Sequence, residues 1–193
     1  MLSDIRVIVR EPITRQDMRE IVAVEQASHI LARSKTEIFK KDNYILLADY
    51  RGHVAGYMIF RLYGNRAFLD DIVVLHDKRG KGVGTQMIQR LISLITSVRD
   101  GYTEDKSDSR AISNIRYRMA SQLCSGIDLY LRETNMLAIY FFSGLGFEAR
   151  NVLRNFYDKP RDTGEDAYTM HLCLRPHPIQ PSILTNRISQ YFR

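Results

Sequence analysis

The chain is poor in cysteine. Its two residues, Cys124 and Cys173, make no disulfide framework, and thiols used this sparingly fit a reducing compartment; the chain reads as cytoplasmic. No apolar run approaches the roughly 18–20 residues needed to span a bilayer, so no membrane role is expected. The start, MLSDIRVIVRE, sets Asp4, Arg6 and Glu11 around a short strand-like run and lacks the apolar core of a signal peptide. His, Cys, Asp and Glu nowhere fall at metal-ligand spacing, so no metal site is expected. Internal repeats and low-complexity tracts are also missing. So are two common phosphate signatures. The Walker pattern G-x-x-x-x-G-K-[ST] is absent, and Gly82-x-Gly84 reaches Met87 where a dinucleotide fingerprint needs its third glycine.

What is present suits one globular domain with a real core. The 193 residues are 45% hydrophobic and 26% charged, ordinary values for such a domain. The formal net charge of +6 fits two readings: attraction to phosphates or an RNA-rich partner, and a plain solvated basic surface.

Taken in order, Ile5–Arg10 reads as a strand. Thr14 and Asp17 cap a helix reaching about Ala27, with Met18, Ile21, Val22 and Glu25 at helical spacing. Ser34 and Glu37 cap a short helix to about Lys41. Tyr44–Asp49, Val54–Tyr63 and Ala67–Leu75 read as strands joined by turns at Arg51-Gly52-His53 and Gly64-Asn65, an antiparallel meander. The polar stretch of about 99–122 reads as a loop or insertion, with Ile115–Met119 as an ordered part. Ile127–Leu131 is a strand, Thr134-Asn135 caps a helix to about Ser143, and Gly144 or Gly146 ends it. Phe147–Leu153 and Ala167–Leu174 form a hairpin across a polar loop, Asp158–Asp166. A domain of residues 1–175 is expected. Residues 176–193, holding Pro176, Pro178 and Pro181, form a tail ending in a short amphipathic helix.

The meander leads into Asp77-Lys78-Arg79-Gly80-Lys81-Gly82-Val83-Gly84-Thr85. Behind it Met87, Ile88, Leu91, Ile92, Ile95 and Val98 form one apolar helix face. A glycine loop opening a helix leaves backbone N–H groups free, the helix dipole adds positive potential, and three basic side chains add charge. That combination seats phosphate.

Arg79, Gly82 and Gly84 in the order Arg-x-x-Gly-x-Gly, after a strand and before a long amphipathic helix, resemble the pyrophosphate loop of the GNAT acetyltransferase superfamily. Asn135-x-x-Ala138 followed by Gly146-Phe147 resembles its second signature. Arg154-Asn155-Phe156-Tyr157, then Glu165-Asp166-Ala167 and Met170, resembles the ending of its protein N-terminal acetyltransferases, those acting on ribosomal proteins among them. The resemblance implies an α/β (α+β) fold: a mixed, mostly antiparallel twisted sheet, helices on both faces, and a V-shaped splay between the fourth and fifth strands. It implies acetyl-CoA as co-substrate, with Ile72, Val73 and Val74 lending backbone bonds to the pantetheine and an oxyanion N–H. Arg79, Gly80, Lys81, Gly82, Val83, Gly84 and Thr85 would wrap the pyrophosphate. Asn135 and Phe142 would line the cofactor, and Phe156 and Tyr157 would close over a substrate's N-terminal residues. The implied partner is a protein N-terminus, a ribosomal one included, with no direct nucleic-acid role.

Two positions depart from the family. Tyr130 stands where the strand usually carries Glu or His, and Phe142 where the helix carries the acidic tyrosine. An α-amine, with a pKa of about 7.7–8.0, is partly neutral at pH 7, whereas a lysine amine near 10.4 needs a base, so the gap favours an α-amine substrate. Tyr130 and Asp70 are the candidate catalytic residues, Asp70 by alternation on the face of Ile72 and Val74. Glu133 is a third base, through water. Two alternatives stand beside an N-terminal acetyltransferase. One is a polyamine-type acetyltransferase, for which Asp70 and Asp71 offer acidity; the other is a CoA-binding module without catalysis.

Overall fold

The structure, a computed structural model, describes residues 7–28, 32–99, 115, 117–119, 124–159 and 162–174. Contacts divide the chain between Cys124 and Ser125 into two compact units. In the first, β1 (Val7–Arg10), β2 (Tyr44–Tyr50), β3 (His53–Tyr63) and β4 (Arg66–Val74) pair antiparallel in chain order. It also carries α1 (Arg15–Ser28), α2 (Lys35–Ile38), a single turn of tight helix at His76–Lys78, and α3 (Val83–Arg99). In the second, β5 (Gly126–Arg132), α4 (Met136–Gly144), β6 (Glu148–Lys159) and β7 (Asp162–Cys173) follow, with β7 paired antiparallel to both β5 and β6. The chain is therefore mixed α/β, with seven strands antiparallel wherever their pairing is described.

Strand β3 is buried along seven consecutive residues, because helices cover both of its faces. Ile21 and Val24 of α1 and Ile38 of α2 cluster with Ile45, Leu47, Tyr57, Ile59 and Val73. The opposite face, with Leu46, Met58 and Phe60, is left for α3, which contacts all four strands. In α3, Met87, Ile88, Leu91, Leu94 and Ile95 are buried, each adding about 1.5–3 kcal/mol. Leu94, absent from the expected stripe, is fully buried, while Ile92 is only half so.

The caps follow the sequence. Thr14 and Asp17 bond reciprocally, Asp17 N–H to the Thr14 hydroxyl at 3.0 Å and Thr14 N–H to the Asp17 carboxylate at 2.8 Å. Ser34 and Glu37 form a full capping box, yet α2 stops at Ile38, because the Asn43 side-chain amide takes the carbonyls of Glu37 and Ile38. At the end of α4, Gly146 takes φ +88° and the N–H of Phe147 bonds back to Phe142. The Phe142 and Phe147 rings meet at 5.1 Å, the apolar contact that accompanies a Schellman ending.

Two expectations need correction. The final hairpin is longer than Phe147–Leu153 and Ala167–Leu174: most of the supposed loop Asp158–Asp166 is strand. Glu165 and Asp166 look like loop residues only because the groups that satisfy them are far away in sequence. The alternation that set Asp70 beside Ile72 and Val74 is broken by a bulge: Ile59 pairs with Asp71 and Phe60 with Leu69, leaving Asp70 as the extra residue. Within the stretch 99–122 the part expected to be ordered, Ile115–Met119, is so where described: Ile115, Tyr117, Arg118 and Met119 are helical, and Ile115 and Met119 are buried. The tail, 176–193, lies outside the described residues.

Candidate active site

Each unit builds one part of the machinery from local rules. In the first unit the strand-to-helix corner has a shape that suits a phosphate. Gly80 and Gly82 adopt φ +71° and +78°, a left-handed conformation that other residues resist, and a Cβ on either would meet open space. Their role is backbone shape, with clear approach for a ligand. The first backbone bond of α3 runs from Gln86 N–H to Gly82 O at 2.9 Å. The amides of Val83, Gly84 and Thr85 thus precede the helical ladder and are the donors a helix start offers an anion. The Val83 side chain is buried, so only its backbone can serve. Arg79 folds back and donates Nε–H to the Val74 carbonyl at 3.1 Å, stapling the loop to the end of β4. Glycines, helix amides and basic side chains together fit a diphosphate.

The strand feeding that loop is held closely. Gly56 of β3 lies opposite Val74, and a Cβ there would come within 2.4 Å of the Val73 carbonyl. Leu75 N–H bonds the Ala55 carbonyl at 2.9 Å. Strand alternation then turns the N–H and C=O of Val74 away from β3. Ile72 and Val74 are half-buried; Val73 belongs to the core.

The two acidic residues beside this strand are both matched by arginine. Asp70 accepts from Arg61 through both oxygens, Nε and NH2 each at 2.5 Å. Asp71, one residue on, accepts from Arg33. Arg33 also donates to the Tyr57 hydroxyl at 3.1 Å and, through its backbone N–H at 2.7 Å, to Glu25. Glu25, 1% exposed, takes the Tyr57 hydroxyl as well. Burial pushes the Glu25 carboxyl up, but Tyr57 and Arg33 outweigh it and hold the group below its usual range. Burial and the Glu25 carboxylate push the Tyr57 hydroxyl well up, so it stays a donor. Sequence spacing gave no signal for Arg33 or Tyr57, which meet only in three dimensions.

In the second unit the motif Arg154–Tyr157 forms a bulge. Leu153 pairs with Ala167 and Tyr157 with Glu165, so three residues of β6 stand against Asp166 alone. Asn155 takes φ +51°, and a Cβ on Gly164 would come within 2.9 Å of the Asn155 Cβ. Asp166 pins the loop, accepting the Asn155 N–H at 2.9 Å and the Arg154 guanidinium; the amide first and the arginine next hold its carboxyl below the usual range. Glu165 accepts from Thr134 and from Arg132 at 2.6 Å, and these bonds depress it likewise. The Arg132 guanidinium lies 4.0 Å over the Tyr157 ring. Phe156, 44% exposed, packs edge-on against Tyr157 and Tyr130, both at 5.0 Å. Tyr130, 39% exposed, thus joins the aromatic cluster.

Asn135 caps α4, its side-chain oxygen accepting from Ala138 N–H at 3.2 Å. Phe142 is 2% exposed, packed between Phe141 and Phe147 as a core residue of its unit. Glu133 is engaged with Asp166, whose N–H it accepts at 3.2 Å. Sequence reasoning missed Asp128 and His171, a cross-strand pair on the Tyr130 side of β5 with Nδ1 to oxygen 2.6 Å. Among the described residues no cluster of His, Cys, Asp and Glu could hold a metal, and no helix is long and apolar enough to cross a membrane.

Comparison with known proteins gives consistent results. The model of the acetyltransferase (GNAT) family matches residues 11–104. An uncharacterized N-acetyltransferase of Methanocaldococcus jannaschii is 25% identical over 143 residues, 74% of each chain. The crystal structure of the ribosomal-protein-alanine N-acetyltransferase of Escherichia coli superposes with a TM-score of 0.65 at 19% identity, over 91% of this chain and 99% of that one. A spermidine/spermine N-acetyltransferase of Vibrio cholerae superposes with 0.59 at 14% identity, over 87% and 92%.

Proposed function

The chain is a member of the GNAT acetyltransferase family, an enzyme using acetyl-CoA, and on that premise we propose that it acetylates the N-terminal α-amine of a protein. The observation that carries this reading is the pinned aromatic bulge of the second unit. Phe156, Tyr157 and Tyr130 offer a mostly uncharged surface, rimmed by the Arg132 guanidinium, that suits a peptide end. A polycation calls for uncompensated carboxylates. Asp70 and Asp71, the acidic residues that favour a polyamine, are each bound to an arginine instead. The likeness to a protein-alanine acetyltransferase agrees, with ribosomal proteins as a substrate class.

In the proposed mechanism the loop Arg79–Thr85 holds the pyrophosphate and the backbone of Ile72, Val73 and Val74 aligns the pantetheine. Acetyl-CoA supplies the acetyl group as a thioester. The neutral substrate amine attacks its carbonyl carbon; the C–N bond forms, the C–S bond breaks, CoA leaves as the thiolate and the amine gives up a proton. The Val74 N–H, turned from β3, stabilises the charge developing on the oxygen. A water hydrogen-bonded to the Tyr130 hydroxyl takes the amine's proton and passes it to solvent, the phenol staying neutral; Asp70, occupied by Arg61, ranks below it. About a tenth of an α-amine is already neutral at pH 7, so this assistance is modest in what it must supply.

Thiol release from acetyl-CoA with an Ala-starting peptide, run beside spermidine, tests the proposal. Peptide-dependent release with the acetyl group on the α-amine is expected. Turnover of spermidine alone would sink it.

A further inference from the structure

Tyr50 ends β2 with its ring 8% exposed. Three cations surround that ring: Arg51 at 5.6 Å from its centroid, Lys81 at 5.8 Å and Lys78 at 6.0 Å. They come from two separate segments. Lys78 and Lys81 belong to the glycine loop; Arg51 stands on the β2–β3 turn, fixed by left-handed backbone at φ +56° and followed by Gly52 at +82°. Cation–π attraction is weak at a wet surface, and like charges gathered around one ring repel. Asp77 neutralises Lys78. Among the described residues no ion pair joins Arg51 or Lys81 to a carboxylate, so the cluster keeps positive charge beside the phosphate seat.

We propose that Arg51, with Lys78 and Lys81, forms a subsite for the third phosphate of acetyl-CoA, the monoester on the 3′ carbon of its ribose. The proposal rests on acetyl-CoA as the co-substrate. A diphosphate is served by the loop amides and needs no help from a different turn; Arg51 marks a second anionic group at a second place. A phosphate monoester is close to doubly charged at neutral pH and presents three acceptor oxygens. A guanidinium fork meets two of them at once, which a lysine does not.

Calorimetric binding of CoA and of 3′-dephospho-CoA to the full chain tests this without turnover. The wild-type protein is expected to favour CoA by roughly tenfold, less as salt is raised. Arg51→Gln is expected to reduce that preference to about twofold while 3′-dephospho-CoA binds nearly as before, and Arg51→Lys to keep most of it. Equal affinities in the wild type, or an undiminished preference in Arg51→Gln, would overturn the subsite. If neither nucleotide binds the wild type, the co-substrate assignment itself falls and the subsite with it.

Discussion

In the first unit an acid–arginine network surrounds Tyr57; in the second a similar one surrounds Tyr157. The members are alike, but their settings differ. Glu25 and Tyr57 are sealed in the core, 1% and 0% exposed, and the arginine that joins them, Arg33, is less exposed than its counterparts, at 31% of its side chain. In the second unit the carboxylates of Glu165 and Asp166 are buried, while their arginines reach solvent, Arg132 at 48% and Arg154 at 76% side-chain exposure. A sealed network fixes the position of a strand, because removing one member strands the rest without water. A network with one wet side shapes a surface, because water replaces a lost partner. The first therefore belongs to stability and to the geometry of β4, and the second shapes the surface proposed for the substrate.

Four experiments break or sharpen that division. The largest effect is expected from Gly82→Asp, which sets a carboxylate beside the pyrophosphate. Like-charge contact costs several kcal/mol, so acetyl-CoA affinity should fall more than about a hundredfold by calorimetry, while stability falls only by the roughly 1–2 kcal/mol of a non-glycine residue in the left-handed conformation. Retained affinity would remove the loop from the cofactor site. Next is Glu25→Ala. Taking the acceptor from the buried Tyr57 hydroxyl and one of two carboxylates from Arg33, which keeps Asp71, should cost about 1–3 kcal/mol in urea unfolding. A loss under about 1 kcal/mol would show that the first network is not sealed. Smaller is Asp166→Asn, which loosens the bulge. The KM for an N-terminal peptide should rise roughly tenfold with acetyl-CoA affinity unchanged; the reverse pattern would exchange the roles of the two units.

The mildest effect is that of acid. Asp17, Glu25, Glu165 and Asp166 all titrate below their ordinary range in the folded chain, Asp17 chiefly through Arg10. Their stabilisation is complete above the unfolded carboxylate values of about 4 and is lost as pH falls through the depressed folded values. The urea midpoint should therefore hold from pH 7 to about 5 and drop below about 4. A midpoint that rises on acidification would contradict the ion pairs of both units.

The glycine loop was legible in sequence because its cause is local. Gly80 and Gly82 supply backbone freedom, and the apolar spacing from Met87 onward supplies the helix behind them. The caps at Thr14, Ser34 and Asn135 were legible for the same reason. What stayed hidden depends on partners far along the chain. Alternation could not reveal that Asp70 is a bulge residue, since a bulge exists only against the register of β3. Glu165 and Asp166 read as loop because their partners Arg132, Thr134 and Arg154 lie 12 to 33 residues away. Arg33 carried no pattern at all. Phe142 shows a further limit: the signature fixes its place on α4, and only packing shows its ring to be interior.

Gly164 leaves room for Asn155 and for nothing else. A methyl group there presses on the Asn155 Cβ and drives the chain toward an ordinary flat ribbon, carrying Phe156 and Tyr157 with it. On the proposed reading, selectivity at that aromatic surface can therefore be retuned, or erased, from a residue that has no side chain of its own. That makes residue 164 a remote dial for redesigning what the enzyme accepts.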